Sequence, residues 1–179
     1  MSKSSEINLV QEQMKIKPQV EELIPMLLDG ELKDTALEFI TYLRDKKRIP
    51  RYSSFNSWKV SYKGECVCYI KLSNKMEKNI WGIAFRFEKF NSEFSGGFKK
   101  AVQDNMKPCE TCLKACTKGI KLTVFEKEIT NICRGWPIKF VNPDANTLEY
   151  VKELIEYREK LISTNTLPPP FWWNYNPPI

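Results

Sequence analysis

Ser57-Trp58-Lys59-Val60-Ser61-Tyr62-Lys63-Gly64-Glu65-Cys66-Val67-Cys68-Tyr69-Ile70-Lys71-Leu72 is the stretch that decides the fold. Trp58, Val60 and Tyr62 alternate with Lys59, Ser61 and Lys63, the period of two that a half-buried strand shows. Gly64 marks a tight turn, and Cys66 to Leu72 continue as a second strand. Two such runs around one glycine spell a β-hairpin. Downstream, Trp81, Ile83, Phe85 and Phe87 place bulk on one face of a third strand. Gly82, Ala84 and Arg86 leave the other face small, with room for a packed helix or a ligand.

Upstream the period changes. Val20, Leu23, Ile24, Leu27 and Leu28 recur at helical spacing after Pro18, and Gly30 interrupts them. Leu32, Ala36, Ile40 and Leu43, with Phe39 beside them, form a second stripe that ends at a basic cluster and Pro50. The two stripes predict a helical hairpin. Beyond the third strand, Phe98 and Val102 mark a helix after the break expected at Gly96-Gly97. Leu122–Phe125 and Ile129–Cys133 are expected to pair as a short hairpin, and Trp136, Ile138 and Phe140 to form a last strand. Asn142 is the expected N-cap of a final helix, with Pro143 in its first turn. Leu148, Val151, Leu154, Ile155 and Leu161 give that helix its stripe.

This order predicts an α+β fold: an N-terminal helical hairpin, an antiparallel sheet of four or five strands, and a C-terminal helix packed on the sheet. Residues 1–16 are expected to be a flexible arm and residues 17–163 a single domain with a cysteine-rich insert at 107–135. Residues 164–179 form a Pro/Trp-rich tail. The tail run Pro168-Pro-Pro-Phe171-Trp172-Trp173 excludes a helix and predicts polyproline-like extension. Its three adjacent aromatics are expected to dock on the protein's own surface or on a partner.

Composition narrows the functional classes. No run of 18 apolar residues exists, so no membrane span is expected. The start is polar and without an apolar signal core, which places the chain in the cytoplasm. There, six cysteines are read as thiols or metal ligands rather than as disulfides. The net charge of +6 is spread thinly, with no stretch of five basic residues, and reads as a solvated lysine-rich surface. Nucleic-acid recognition rests on charge and aromatics alone and is set aside. Histidine is absent, which excludes Ser-His-Asp and Cys-His catalysis and every His-containing metal site. No carboxylate pair is spaced for acid–base work, and Gly96-Gly97 lacks the pattern of a phosphate loop.

Chemistry concentrates in Lys107-Pro108-Cys109-Glu110-Thr111-Cys112-Leu113-Lys114-Ala115-Cys116-Thr117-Lys118-Gly119. If Pro108 opens a short helix and Gly119 closes it, Cys109, Cys112 and Cys116 share one face. Cys133 then supplies a fourth thiol from a neighbouring strand. Four thiolates in a tetrahedron make a structural zinc site. Lys107, Lys114, Lys118, Lys121 and Arg134 are near enough in sequence to offset its negative charge. The same cysteines are compatible with a thiol redox or metal-sensing role, with an iron–sulfur cluster, or with small apolar packing groups. Cys66 and Cys68, two apart on a strand, are read as core packing. Trp58, Tyr62, Tyr69 and Arg86 are candidate ligand-binding residues on the strands. The polar-aromatic run Arg51-Tyr52-Ser53-Ser54, with Asn56, Ser57 and Trp58, either lines a pocket or is a loop entering the first strand.

Asn56-Ser-Trp-Lys-Val-Ser-Tyr-Lys-Gly64 and Val67-Cys-Tyr-Ile-Lys-Leu72 resemble the central hairpin of the YdhG-like group of small bacterial α+β proteins, whose order of elements residues 30 to 160 follow. The resemblance implies helices packed on an antiparallel sheet. It transfers no activity, and the cysteine segment and Trp-rich tail depart from it. The reading that results is a cytoplasmic, non-enzymatic module that binds a small molecule or a protein, with zinc held by Cys109, Cys112, Cys116 and Cys133.

Overall fold

The computed structural model describes residues 3–73, 79–86, 90, 93–109, 119–133 and 135–167. Helices α1 (Lys3–Ile16), α2 (Val20–Leu27) and α3 (Gly30–Asp45) come first. Strands β1 (Arg51–Ser54), β2 (Ser57–Tyr62), β3 (Glu65–Leu72) and β4 (Trp81–Phe85) follow. Then come α4 (Gly96–Asp104), β5 (Ile120–Val124), β6 (Lys127–Ile132), β7 (Ile138–Val141) and α5 (Ala145–Ser163). A five-stranded antiparallel sheet has the order β1-β2-β3-β4-β7, and β5-β6 form a separate two-stranded sheet. The architecture is the expected α+β. The chain divides into two compact units: residues 1–83 with 140–149, and residues 84–139 with 150–179.

In the first unit the hairpin forms as its alternation dictates. Trp58 faces Ile70 and Val60 faces Cys68 across β2 and β3, and all four are buried. Trp58 is fully buried, and its indole N–H donates to the Pro18 carbonyl at 2.8 Å, so the polar edge of the ring is satisfied inside the core. The helical stripes bury Val20, Ile24 and Leu28, then Ala36, Phe39, Ile40 and Leu43. Cys66 and Cys68 are buried within this unit, as core packing requires.

Residues 3–16, in the expected N-terminal arm, are helical. Gln13 of α1 donates through Nε2 to Asn56 Oδ1 at 2.7 Å and accepts the Asn56 N–H at 3.1 Å. Arg51–Ser54 is not a loop but an edge strand, antiparallel to β2 with a bulge between Tyr52 and Ser54. Asn142 does not cap α5. It sits at φ +45, accepts the Trp81 N–H through Oδ1 at 2.9 Å and donates through Nδ2 to Asn79 O at 2.9 Å. A left-handed residue with a short amide side chain serves a strand end better than a helix start. The cap is Asp144, whose Oδ1 accepts the Thr147 N–H at 2.7 Å. The small face of β4 holds no ligand-sized space at Gly82: a Cβ there would lie 2.5 Å from the Phe140 carbonyl oxygen.

The second unit contains α4, the β5-β6 hairpin and most of α5. Gly96 and Gly97 do not precede the helix but form its first turn, with Ser95 Oγ accepting the Phe98 N–H at 3.2 Å. A Cβ at Gly97 would meet the Tyr150 hydroxyl, so the ring would have to shift to admit one. Phe90, Phe94, Phe98, Phe125 and Tyr157 pack ring against ring, the closest pair being Phe94 and Phe98 at 4.2 Å between centroids. The buried positions of α5 here are Val151, Leu154, Ile155 and Arg158.

Candidate functional site

The cysteine segment starts in a ladder, not in a helix. Residues 106–109 lie between β7 and the end of β6. Met106 bridges Ile138, with the Lys107 N–H donating to Pro137 O at 2.8 Å and the Lys139 N–H to Asn105 O at 2.9 Å. Pro108 bridges Ile132, with the Cys109 N–H donating to Asn131 O at 2.7 Å and the Cys133 N–H to Lys107 O at 2.9 Å. The expectation that Pro108 opens a helix is therefore corrected. The reason lies in the pattern: Pro108 and Ile132 are a pair whose own N–H groups do not take part in the bridge. Proline costs that position nothing.

The ladder fixes the relation of two of the expected ligands. Around Pro108 and Ile132, Lys107 lies opposite Cys133 and Cys109 opposite Asn131. Residues 107 and 109 share a face, so Cys109 and Cys133 are diagonal neighbours on one side of the ladder. Both are half-buried free thiols. Gly119, at the far end of the segment, packs on the same residue: a Cβ there would lie 2.6 Å from the Asn131 carbonyl carbon. Asn131, at φ +57, thus holds both ends of the segment. Cys112 and Cys116 lie outside the described residues, as do Glu110, Lys114, Lys118, Arg134 and the tail from Pro168 onward. Among the described residues no group of three or more cysteine or carboxylate side chains is arranged to hold a metal.

Of the strand residues expected to bind a ligand, Trp58 and Tyr69 do not share a face. Trp58 is in the core of the first unit. Tyr69 faces Lys59 across the hairpin and so lies on the opposite face from Trp58. Tyr62 is half-buried, with the Arg48 guanidinium 4.1 Å from its ring centre. Arg86 belongs to the second unit, its guanidinium 5.8 Å from the Trp136 ring centre.

Among the described residues, grooves are present in each unit. In the second unit, Glu93, Phe94, Glu153, Glu156, Tyr157 and Lys160 line a groove of about 310 Å³. Burial, helped by the Glu156 charge, pushes the Glu153 carboxyl above its usual range. In the first unit, a groove of about 490 Å³ is lined by Lys47, Arg51 and Lys59 together with Ile49, Ser53 and Ser61. Lys47 lies in the basic cluster that ends the second apolar stripe and Lys59 on the polar side of the first strand, and nothing in the sequence alone marks either as a site. The signal that finds them is the register placing Arg51 directly opposite Lys59.

No family model, no curated protein and no solved structure matches the chain. Among the described residues no helix is long and apolar enough to cross a membrane.

Proposed function

We propose that the chain is a cytoplasmic, non-enzymatic binding module whose second unit is stapled by zinc held by Cys109, Cys112, Cys116 and Cys133. The observation that carries the reading is the ladder around Pro108 and Ile132, which makes Cys109 and Cys133 diagonal neighbours. Diagonal neighbours of this kind stand about 7–8 Å apart between Cα atoms. That is longer than the roughly 4.4–6.8 Å a disulfide spans without backbone movement. It suits two thiolates that meet at a metal with Zn–S bonds of about 2.3 Å. In sequence, Cys112 follows the first anchored residue by three positions and Cys116 precedes Gly119 by three, so each half of the segment offers one further thiol. Four sulfur ligands with no open position describe a structural site rather than a catalytic one. The absence of histidine agrees with a centre built from thiolates alone.

Elemental analysis of the full chain, purified without added metal, tests the reading. About one zinc per chain, retained through dialysis, is the expected result. Cys133→Ser should release the metal and lower the melting temperature, because zinc-binding energy is folding energy in such sites. Metal-free protein in which Cys109 and Cys112 interconvert between thiol and disulfide would replace the zinc reading with a redox one.

A further inference from the structure

The groove of the first unit carries positive charge that the fold does not compensate. Its lining contains Lys47, Arg51 and Lys59 and no carboxylate. Among the described residues none of these three makes an ion pair or a side-chain hydrogen bond. Arg51 and Lys59 are direct cross-strand partners, an arrangement in which like charges repel at close range. The sequence therefore accepts a destabilising pair where one acidic residue would have made a stabilising one.

Lys47 carries a second, independent cost. The end of α3 closes with the Lys47 N–H donating to Arg44 O at 2.8 Å and the Arg48 N–H to Leu43 O at 2.7 Å. This double closure puts residue 47 in the left-handed region, at φ +57. Glycine is the residue that takes this position without strain, and here it is a lysine. Its side chain lines the same groove as the opposed pair. Ser53, at the bulge of β1, and Ser61 add hydroxyl donors to the lining.

We propose that this groove binds the phosphate group of a small phosphomonoester or diphosphate. Three cations call for more than the single charge of a carboxylate, and a phosphate monoester brings about −1.5 to −2 at neutral pH. Its oxygens accept from guanidinium, ammonium and hydroxyl donors together. The volume, about 490 Å³, falls in the range of small-molecule sites. Bound anion relieves the repulsion between Arg51 and Lys59, so part of the affinity comes from strain already present in the free protein. The site is independent of the thiol reading.

Calorimetric titration of the full chain with inorganic phosphate, pyrophosphate and ribose 5-phosphate at low ionic strength tests this. Saturable binding of one anion per chain is expected, weakening as salt is added. Arg51→Gln and Lys59→Gln should each reduce affinity about tenfold, the usual cost of losing one contact to a charged group. Lys47→Gly should also weaken binding, yet melt at a higher temperature than the parent chain, which separates loss of the site from loss of the fold. Tighter binding of ribose 5-phosphate than of inorganic phosphate would identify an organic phosphate as the occupant, and equal binding a free phosphate ion. Absence of saturable binding, equal affinity in all variants, or binding confined to a single-stranded oligonucleotide would overturn the proposal.

Discussion

The β2-β3 hairpin and the ladder around Pro108 are both antiparallel pairings, but they are held in different ways. In the hairpin, pairing and burial coincide. Trp58, Val60, Cys68 and Ile70 share one face and go into the core together. A slip of one residue would turn that set away from the core, so burial specifies their register. In the ladder, Pro108 is exposed and Cys109 and Cys133 are half-buried. Its register rests on backbone hydrogen bonds to partners more than twenty residues away and on the glycine contact at Asn131. Side-chain pattern thus specifies the first pairing, and backbone geometry specifies the second.

The largest effect that tests this difference is expected at Trp58. Trp58→Ala removes a fully buried ring and strands the Pro18 carbonyl in the core. Loss of about 3–5 kcal/mol is expected, measured by urea denaturation. A loss under ~1 kcal/mol would mean that burial does not hold the hairpin, and the contrast would fail at its strongest point.

On the ladder side the sensitive residue is one that buries no apolar surface. At Gly119 an added methyl would lie 2.5 Å from Asn131 Oδ1 and 2.6 Å from the Asn131 carbonyl carbon, so backbone itself must move. Overpacking of this kind costs about 1–3 kcal/mol. Gly119→Ala should therefore lower the melting temperature and loosen amide protection at Cys109 and Cys133, leaving β2 and β3 protected as before. Equal loss of protection in the hairpin would show that the two pairings are not separately held.

These differences account for what the sequence conveys. The hairpin, the α2-α3 pair, β4 and α5 are legible because each repeats apolar residues at its own period, and the period survives in the fold. β1 was hidden because Arg51-Tyr52-Ser53-Ser54 has no apolar repeat and is a strand only by pairing with β2 at a bulge. Asn142 reads as a cap because Asn and Asp favour that position. Its amide is instead engaged by Trp81 and Asn79, sixty residues away in the chain. The cysteines were visible as a cluster, but nothing local announces that Pro108 is in a bridge. The proximity of Cys133 to Cys109 was open to a guess from the fold-back and is given shape only by the ladder. The basic groove needed the register of β1, which propensity could not supply.

A smaller effect sharpens the ladder argument further. Because Pro108 bridges Ile132 at a position where no N–H is used, Pro108→Ala should leave the pairing intact. The expected loss is about 0.4–1 kcal/mol, arising from the freer unfolded chain rather than from the folded contacts. Unchanged exchange protection of the Cys109 and Cys133 amides, alongside that small loss, is the predicted result. Collapse of their protection would mean that the proline ring itself sets the ladder.

The least effect is expected from charge in the hairpin's own unit, and it completes the contrast by showing what does not hold that unit together. Arg44 at the end of α3 donates to the Glu21 carboxylate on α2. Burial pushes the Glu21 carboxyl up, but the Arg44 hydrogen bond, aided by backbone bonding and the guanidinium charge, outweighs it and leaves the group below its usual range. A carboxyl depressed in the folded state contributes stability above its unfolded pKa and loses it as the pH falls through the folded one. Arg44→Gln should therefore cost little at neutral pH, about 0.2–1 kcal/mol for a pair this exposed, and the gap to the parent chain should close only in acid below the usual carboxylate range, as Glu21 takes up its proton. Denaturation curves of both chains at neutral and acid pH read that gap directly. A difference that persists after Glu21 is protonated would place the contribution of Arg44 in the packing of its stem against the helices.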